Sequence, residues 1–142
     1  MEPSAINYST VCQSCGHTAE ITQDIIRQEG FECDACGGHI SLWELPDKEL
    51  IKKVMGIRKD ELYVLWKQEK KEYDEFSKVL QNLKNKLNGL NYPHEFIFLR
   101  QSRKEDLQDR IAALEPQVMA LKCVQEDTYK HYDDMKYRLN RL

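Results

Sequence analysis

The chain has 142 residues, a formal net charge of −3 and five cysteines, with charged residues at 32% and the hydrophobic set at 41%. Six glycines and four prolines in so charged a chain favour long polar helices over a sheet-rich globule, with room for a small module attached to something extended. No stretch is long and apolar enough for a membrane span, and the N-terminal MEPSAINYST has no Lys or Arg for a secretory leader. The expectation is a cytoplasmic protein with reduced thiols, which favours metal over disulfides.

The first element in chain order is built around cysteines. Cys12 and Cys15 are two residues apart, as are Cys33 and Cys36, and 17 residues separate the pairs. That spacing suits a four-thiolate metal site. Each pair forms a knuckle that aims two sulfurs at one point, and two knuckles close a tetrahedron around one ion. Gly16 and Gly37 follow the second cysteine of each pair, where the knuckle requires left-handed backbone. The ion expected is a single structural zinc, with iron in a rubredoxin-like site left open by the residues alone. His17 and His39 flank the knuckles and read as neighbours of the site, because four cysteines already fill it.

This pattern resembles the zinc-ribbon family over about residues 8 to 46. The resemblance implies a knuckle, strands, a second knuckle and a closing strand, here ISLWEL at 40 to 45, with Cys12, Cys15, Cys33 and Cys36 as ligands. A closed set of four thiolates leaves no position for a reactive water, so the metal is expected to be structural and the protein not an enzyme. Residues 1 to 46 carry seven acids and Arg27 as their single Lys or Arg. Such a module repels phosphate and suits a protein surface better than a nucleic acid.

Residues 47 to 142 are expected to be helical. A short amphipathic helix at 47 to 55, with Leu50, Ile51, Val54 and Met55 on one face, is expected to break at Gly56, and Asp60 to cap the next helix. From Leu62 a 4,3 repeat runs through Trp66, Glu69, Tyr73, Phe76, Leu80, Leu83, Leu87 and Leu90, giving a coiled-coil helix over about 60 to 88. A second repeat runs from Leu107 and Ile111 to Leu139 and Leu142. It predicts a helix over about 102 to 142, started by a capping box at Ser102 and kinked or split near Pro116.

Two heptad helices joined by the turn at 88 to 94 are expected to fold back as an antiparallel hairpin, with a parallel homodimer as the competing arrangement. Pairing Glu69 with Gln125 sets Leu87 against Leu107, Leu83 against Ile111 and Phe76 against Val118. It also carries Tyr132, Met135 and Leu139 toward the ribbon. The tip holds the apolar run Tyr92, Phe96, Phe98 and Leu99, a candidate partner-binding surface. Cys123 reads as an isolated free thiol.

The fold class expected is therefore α with a small metal-stabilised β module, a zinc ribbon at 1–46 followed by a helical region at 47–142. A ribbon with a coiled-coil hairpin resembles, in architecture, the DksA-like regulators that bind RNA polymerase, although here the metal module precedes the hairpin. The resemblance implies a non-catalytic adaptor or regulator acting on a larger protein assembly. A second reading takes residues 51–66 as a helix-turn-helix that binds DNA through Arg58 and Lys59, and a third is a self-assembling coiled-coil protein.

Overall fold

The structure, a computed structural model, describes residues 8–90 and 97–142, with side chains from residue 102 onward in the second stretch. It has the expected class: a small β module bearing the cysteines, then two long helices that pack as a hairpin. The chain divides into two compact units, Met1–Tyr63 with His131–Leu142, and Val64–Lys130.

In the first unit, strand β1 (Tyr8–Val11) pairs antiparallel with β2 (Thr18–Ile21), and β3 (Gly30–Glu32) with β4 (His39–Ser41). These are two separate hairpins, each bent around one cysteine knuckle. Helix α1 (Gln23–Gln28) joins them. Thr22 caps it by accepting the Ile25 N–H on its hydroxyl at 3.3 Å, and Glu29 ends it in the left-handed region at φ 59°. The expected closing strand at 40 to 45 is shorter than expected. After Ser41 the chain tightens into a 3-10 turn, Leu42–Glu44, because Leu42 must turn inward to the fully buried position it occupies.

Helix α2 runs unbroken from Lys48 to Gly89. Asp47 caps it by accepting the Glu49 N–H at 3.0 Å. The expected break at Gly56 and fresh start at Asp60 do not occur. An interior glycine costs a helix only about 1 kcal/mol, and buried Val54, Met55 and Leu62 on either side supply more than that by packing. Without a turn at Gly56, residues 51–66 are not a helix-turn-helix. Arg58 lies largely covered and pairs with Glu61 at 3.5 Å, which is helix-surface packing and not the start of a recognition helix.

Helix α3 (Ile97–Asn140) is also a single helix. It has already formed before Ser102, so the capping box there is interior. Pro116 is accommodated because it and Ala112, whose carbonyl loses its partner, are exposed, and water can take the orphaned bond.

The core of the first unit gathers Ile21, Ile26, Leu42 and Leu45 from the ribbon, Ile51, Val54, Met55 and Leu62 from α2, and Met135 from α3. Tyr132 and Leu139 pack against it, as the expected overhang of the second helix requires. The boundary expected at residue 46 therefore does not separate two cores. A ribbon of this size lacks apolar surface of its own to bury, and the helix ends supply it.

In the second unit the helices run antiparallel. Trp66 lies beside Gln125 and Tyr129, while farther along α2 Lys84 reaches back to Glu115 at 3.3 Å. The polar layer differs from the expected Glu69–Gln125 pair. The Trp66 indole N–H donates to the Gln125 Oε1 at 3.2 Å, and Glu69 keeps a buried carboxylate oxygen with no hydrogen-bond partner.

Candidate metal centre

The two knuckles have the same backbone, which is why the two short sequences present their sulfurs alike. In the first, the Gly16 N–H donates to the Cys12 carbonyl at 2.8 Å and the Cys12 N–H to the His17 carbonyl at 2.8 Å. In the second, the Gly37 N–H donates to the Cys33 carbonyl at 2.7 Å and the Cys33 N–H to the Gly38 carbonyl at 2.8 Å. Gly16 and Gly37 sit at φ 76° and 72°. A Cβ at either would meet nothing within 4 Å, so it is the backbone conformation, not crowding, that requires glycine.

The four sulfurs converge. Cys12 Sγ lies 3.7 Å from Cys36 Sγ and Cys15 Sγ 3.6 Å from Cys33 Sγ, and all four lie within 4.8 Å of one another. Disulfide sulfurs would be about 2.05 Å apart, and all five cysteines are free. Four thiolates at about 2.3 Å from a tetrahedral zinc stand about 3.8 Å apart, so the cluster fits one such ion. In each close pair one cysteine is buried, Cys12 or Cys33, and the other exposed. The expected ligand set is thus brought together in full, and Cys123 is exposed and free.

The thiols do not ionise independently. Backbone N–H groups of Cys15 and Ser14 pull the Cys12 thiol down to about 6. At Cys15 the His17 N–H favours the thiolate, but burial and the neighbouring Cys33, Cys12 and Cys36 sulfurs together push it up to about 12. The Gly38 N–H likewise favours a Cys36 thiolate, yet the Cys12 and Cys33 sulfurs leave its pKa raised. One thiolate in so small a space keeps others protonated. A divalent cation reverses that preference and is the charge this cluster calls for. Held by all four, zinc would tie the two hairpins together and have no position left for a substrate.

A second constellation was not legible in the sequence. The Glu29 carboxylate accepts the Trp43 indole N–H at 2.9 Å on one oxygen and lies 2.7 Å from His131 Nε2 on the other. The Arg138 guanidinium stacks 4.3 Å from the Trp43 ring centroid. Glu29, whose charge reads as part of an acidic docking face, instead fastens the ribbon to α3. Trp43 lies in the 3-10 turn after β4 and Glu29 at the C-terminal cap of α1, and nothing local at either residue names its partner.

Of the other candidate residues, Arg58 is engaged with Glu61. Lys59 is half-buried on the same helix. Tyr92 and Phe96 lie outside the described residues, as do the side chains of Phe98 and Leu99. Among the described residues no helix is long and apolar enough to cross a membrane.

A four-cysteine, zinc-ribbon-like metal site on a helical hairpin is the class that fold and site define, and both fit a zinc-binding protein. No family model, no curated protein and no solved structure matches the chain.

Proposed function

We propose that the protein is a non-catalytic zinc-binding adaptor that docks on a larger protein assembly and modulates it. The observation that carries this reading is the closed cluster of four cysteine sulfurs, which suits a structural ion and offers no open coordination position. The architectural likeness to DksA-like regulators points to transcription machinery, or replication machinery, as the class of assembly. The acidic ribbon and the apolar run at 92–99 are the two surfaces this reading assigns to the partner, which makes zinc a scaffold for recognition and not a reagent.

The test is site-specific photo-cross-linking in the native host, comparing the wild type with Cys33→Ser and with a deletion of residues 92–99. A partner lost with either change, and bound directly once purified, supports the adaptor. Recovery of the same partners from all three chains overturns it. Duplex-DNA binding that falls steeply with salt and is lost on Arg58→Ala with Lys59→Ala would replace it with a DNA-binding reading.

A further inference from the structure

The two flanks of the hairpin seam in Val64–Lys130 are not alike. In an antiparallel coiled coil the residue after each seam position on one flank faces its counterpart on the other helix. On one flank contacts cross between the helices: Lys84 bridges Glu115 and Tyr129 packs on Trp66, whose ring also carries Lys70 of the same helix. The opposite flank is open. Phe76 is 41% exposed, Val79 51% and Val124 49%, with exposed Ala113 and Ala120 on the α3 side. Toward the end of this flank nearest residue 90, Lys86 and Arg103 line one shallow pocket with Asp106.

On α2 the open flank carries one line of residues whose charges match their own reverse. Glu72, Val79 and Lys86 are spaced seven residues apart, so they fall on one line of α2. The order is acid, apolar, base. Glu72 and Lys86 are both exposed, and among the described residues neither forms an ion pair. A second α2 laid antiparallel across this line, about a two-fold axis at Val79, sets Glu72 of each copy beside Lys86 of the other. The same axis brings Ala113 of one α3 to Ala120 of the second, where small side chains let helices approach closely. A parallel copy would oppose like charges at both ends.

We propose that the protein self-associates through this flank as an isologous antiparallel dimer, Val79 meeting Val79 across the axis and Glu72 meeting Lys86. The occupant of the open flank is thus a second copy of this chain. The pattern lies wholly within Val64–Lys130 and stands or falls independently of the zinc reading.

The test uses the zinc-loaded full chain in a Cys123→Ser background. Sedimentation equilibrium should show a monomer–dimer balance. Glu72→Lys or Lys86→Glu alone creates two like-charge pairs per dimer, which should raise Kd about tenfold. The two together should restore it to within about threefold of the parent. Lys78→Glu, off the line, should leave Kd unchanged. Val79→Cys should form a disulfide between copies under mild oxidation. Circular dichroism confirms that each variant keeps its helices. A monomer at every concentration overturns the proposal. So does a dimer whose Kd ignores the charge swap, or one that fails to cross-link at position 79.

Discussion

In the unit formed by Met1–Tyr63 and His131–Leu142, side chains such as Ile21, Ile26, Leu42, Val54 and Met55 are sealed from solvent. In Val64–Lys130 only Ile111 and Val118 count as buried among the described apolar residues, and Phe76, a seam residue, remains 41% exposed. Both units use the same two helices and similar side chains. What differs is the number of elements that meet. Strands, α1 and two helix ends surround one point in the first unit, whereas two helices alone leave much of their seam partly exposed. Buried apolar area stabilises at about 25 cal/mol per Å², so cooperativity should concentrate in the first unit. The second should behave as a surface-rich coiled coil.

Metal removal is the strongest way to break this contrast. Structural zinc contributes on the order of 10–16 kcal/mol in small zinc domains, as much as the whole stability of a typical fold. Chelation, or Cys33→Ser, should abolish amide-exchange protection in β1–β4 and the start of α2, while amides of Val64–Lys130 keep theirs. Equal loss in both units would mean that the contrast is not one of stability. The pH response has a fixed sign. Above pH 6 Cys12 is already a thiolate, but Cys15, pushed up to about 12, and Cys36, also raised, must lose protons to bind metal. Zinc affinity should therefore rise with pH between these values and fall toward 6, as read by competition with a coloured chelator.

Core truncation comes next. Met55→Ala and Met135→Ala remove fully buried side chains and should each cost about 2–5 kcal/mol in urea melts of the zinc-loaded protein. Leu83→Ala, at a half-exposed seam position, should cost about half as much, because a partly wet site has less transfer energy to lose. A larger penalty at Leu83 than at Met55 would reverse the ranking of the two units.

The Glu29 clasp should show a smaller effect with an informative order. Glu29→Ala removes both acceptor oxygens from Trp43 and His131 and should destabilise by about 1–3 kcal/mol. Glu29→Gly removes the same bonds but relieves a left-handed backbone at φ 59°, recovering about 1 kcal/mol. Alanine should be worse than glycine at this one position. The reverse order would mean that the backbone there relaxes without cost.

How much of this could be read from residues alone follows from the range of each signal. The ligand set was fully legible, since CxxC spacing and the following glycine are local requirements of one knuckle. The two helical seams were legible because their period repeats over many turns. Helix α1 was not. Thr22, Asp24 and Arg27 are proper end signals, but six residues hold too few turns to show a period. The clasp was not legible either, because Glu29 and His131 are 102 residues apart in sequence and only the folded chain joins them. The Glu69–Gln125 layer failed for a related reason. The Gln125 Oε1 accepts the Trp66 indole N–H instead, and a polar seam residue does not declare which neighbour it will take.

Gly56 is where the local and tertiary signals conflict most directly, and it gives the smallest and sharpest test. A glycine after a short amphipathic run reads as a stop, yet α2 continues through it for another 33 residues to Gly89. If packing of Val54, Met55 and Leu62 holds the helix together at this point, the glycine is a defect that the core tolerates. Its added Cβ would meet nothing within 4 Å, and its backbone is helical. Gly56→Ala should then stabilise the first unit by about 0.5–1 kcal/mol, raising the urea midpoint without changing the slope. If Gly56 were instead a hinge at which α2 opens, alanine would stiffen it. Exchange of the amides around residue 56 would then slow by far more than the gain in global stability explains. Equal changes in local and global protection are the expected result, because the residues that bury α2 on either side of Gly56 belong to one core.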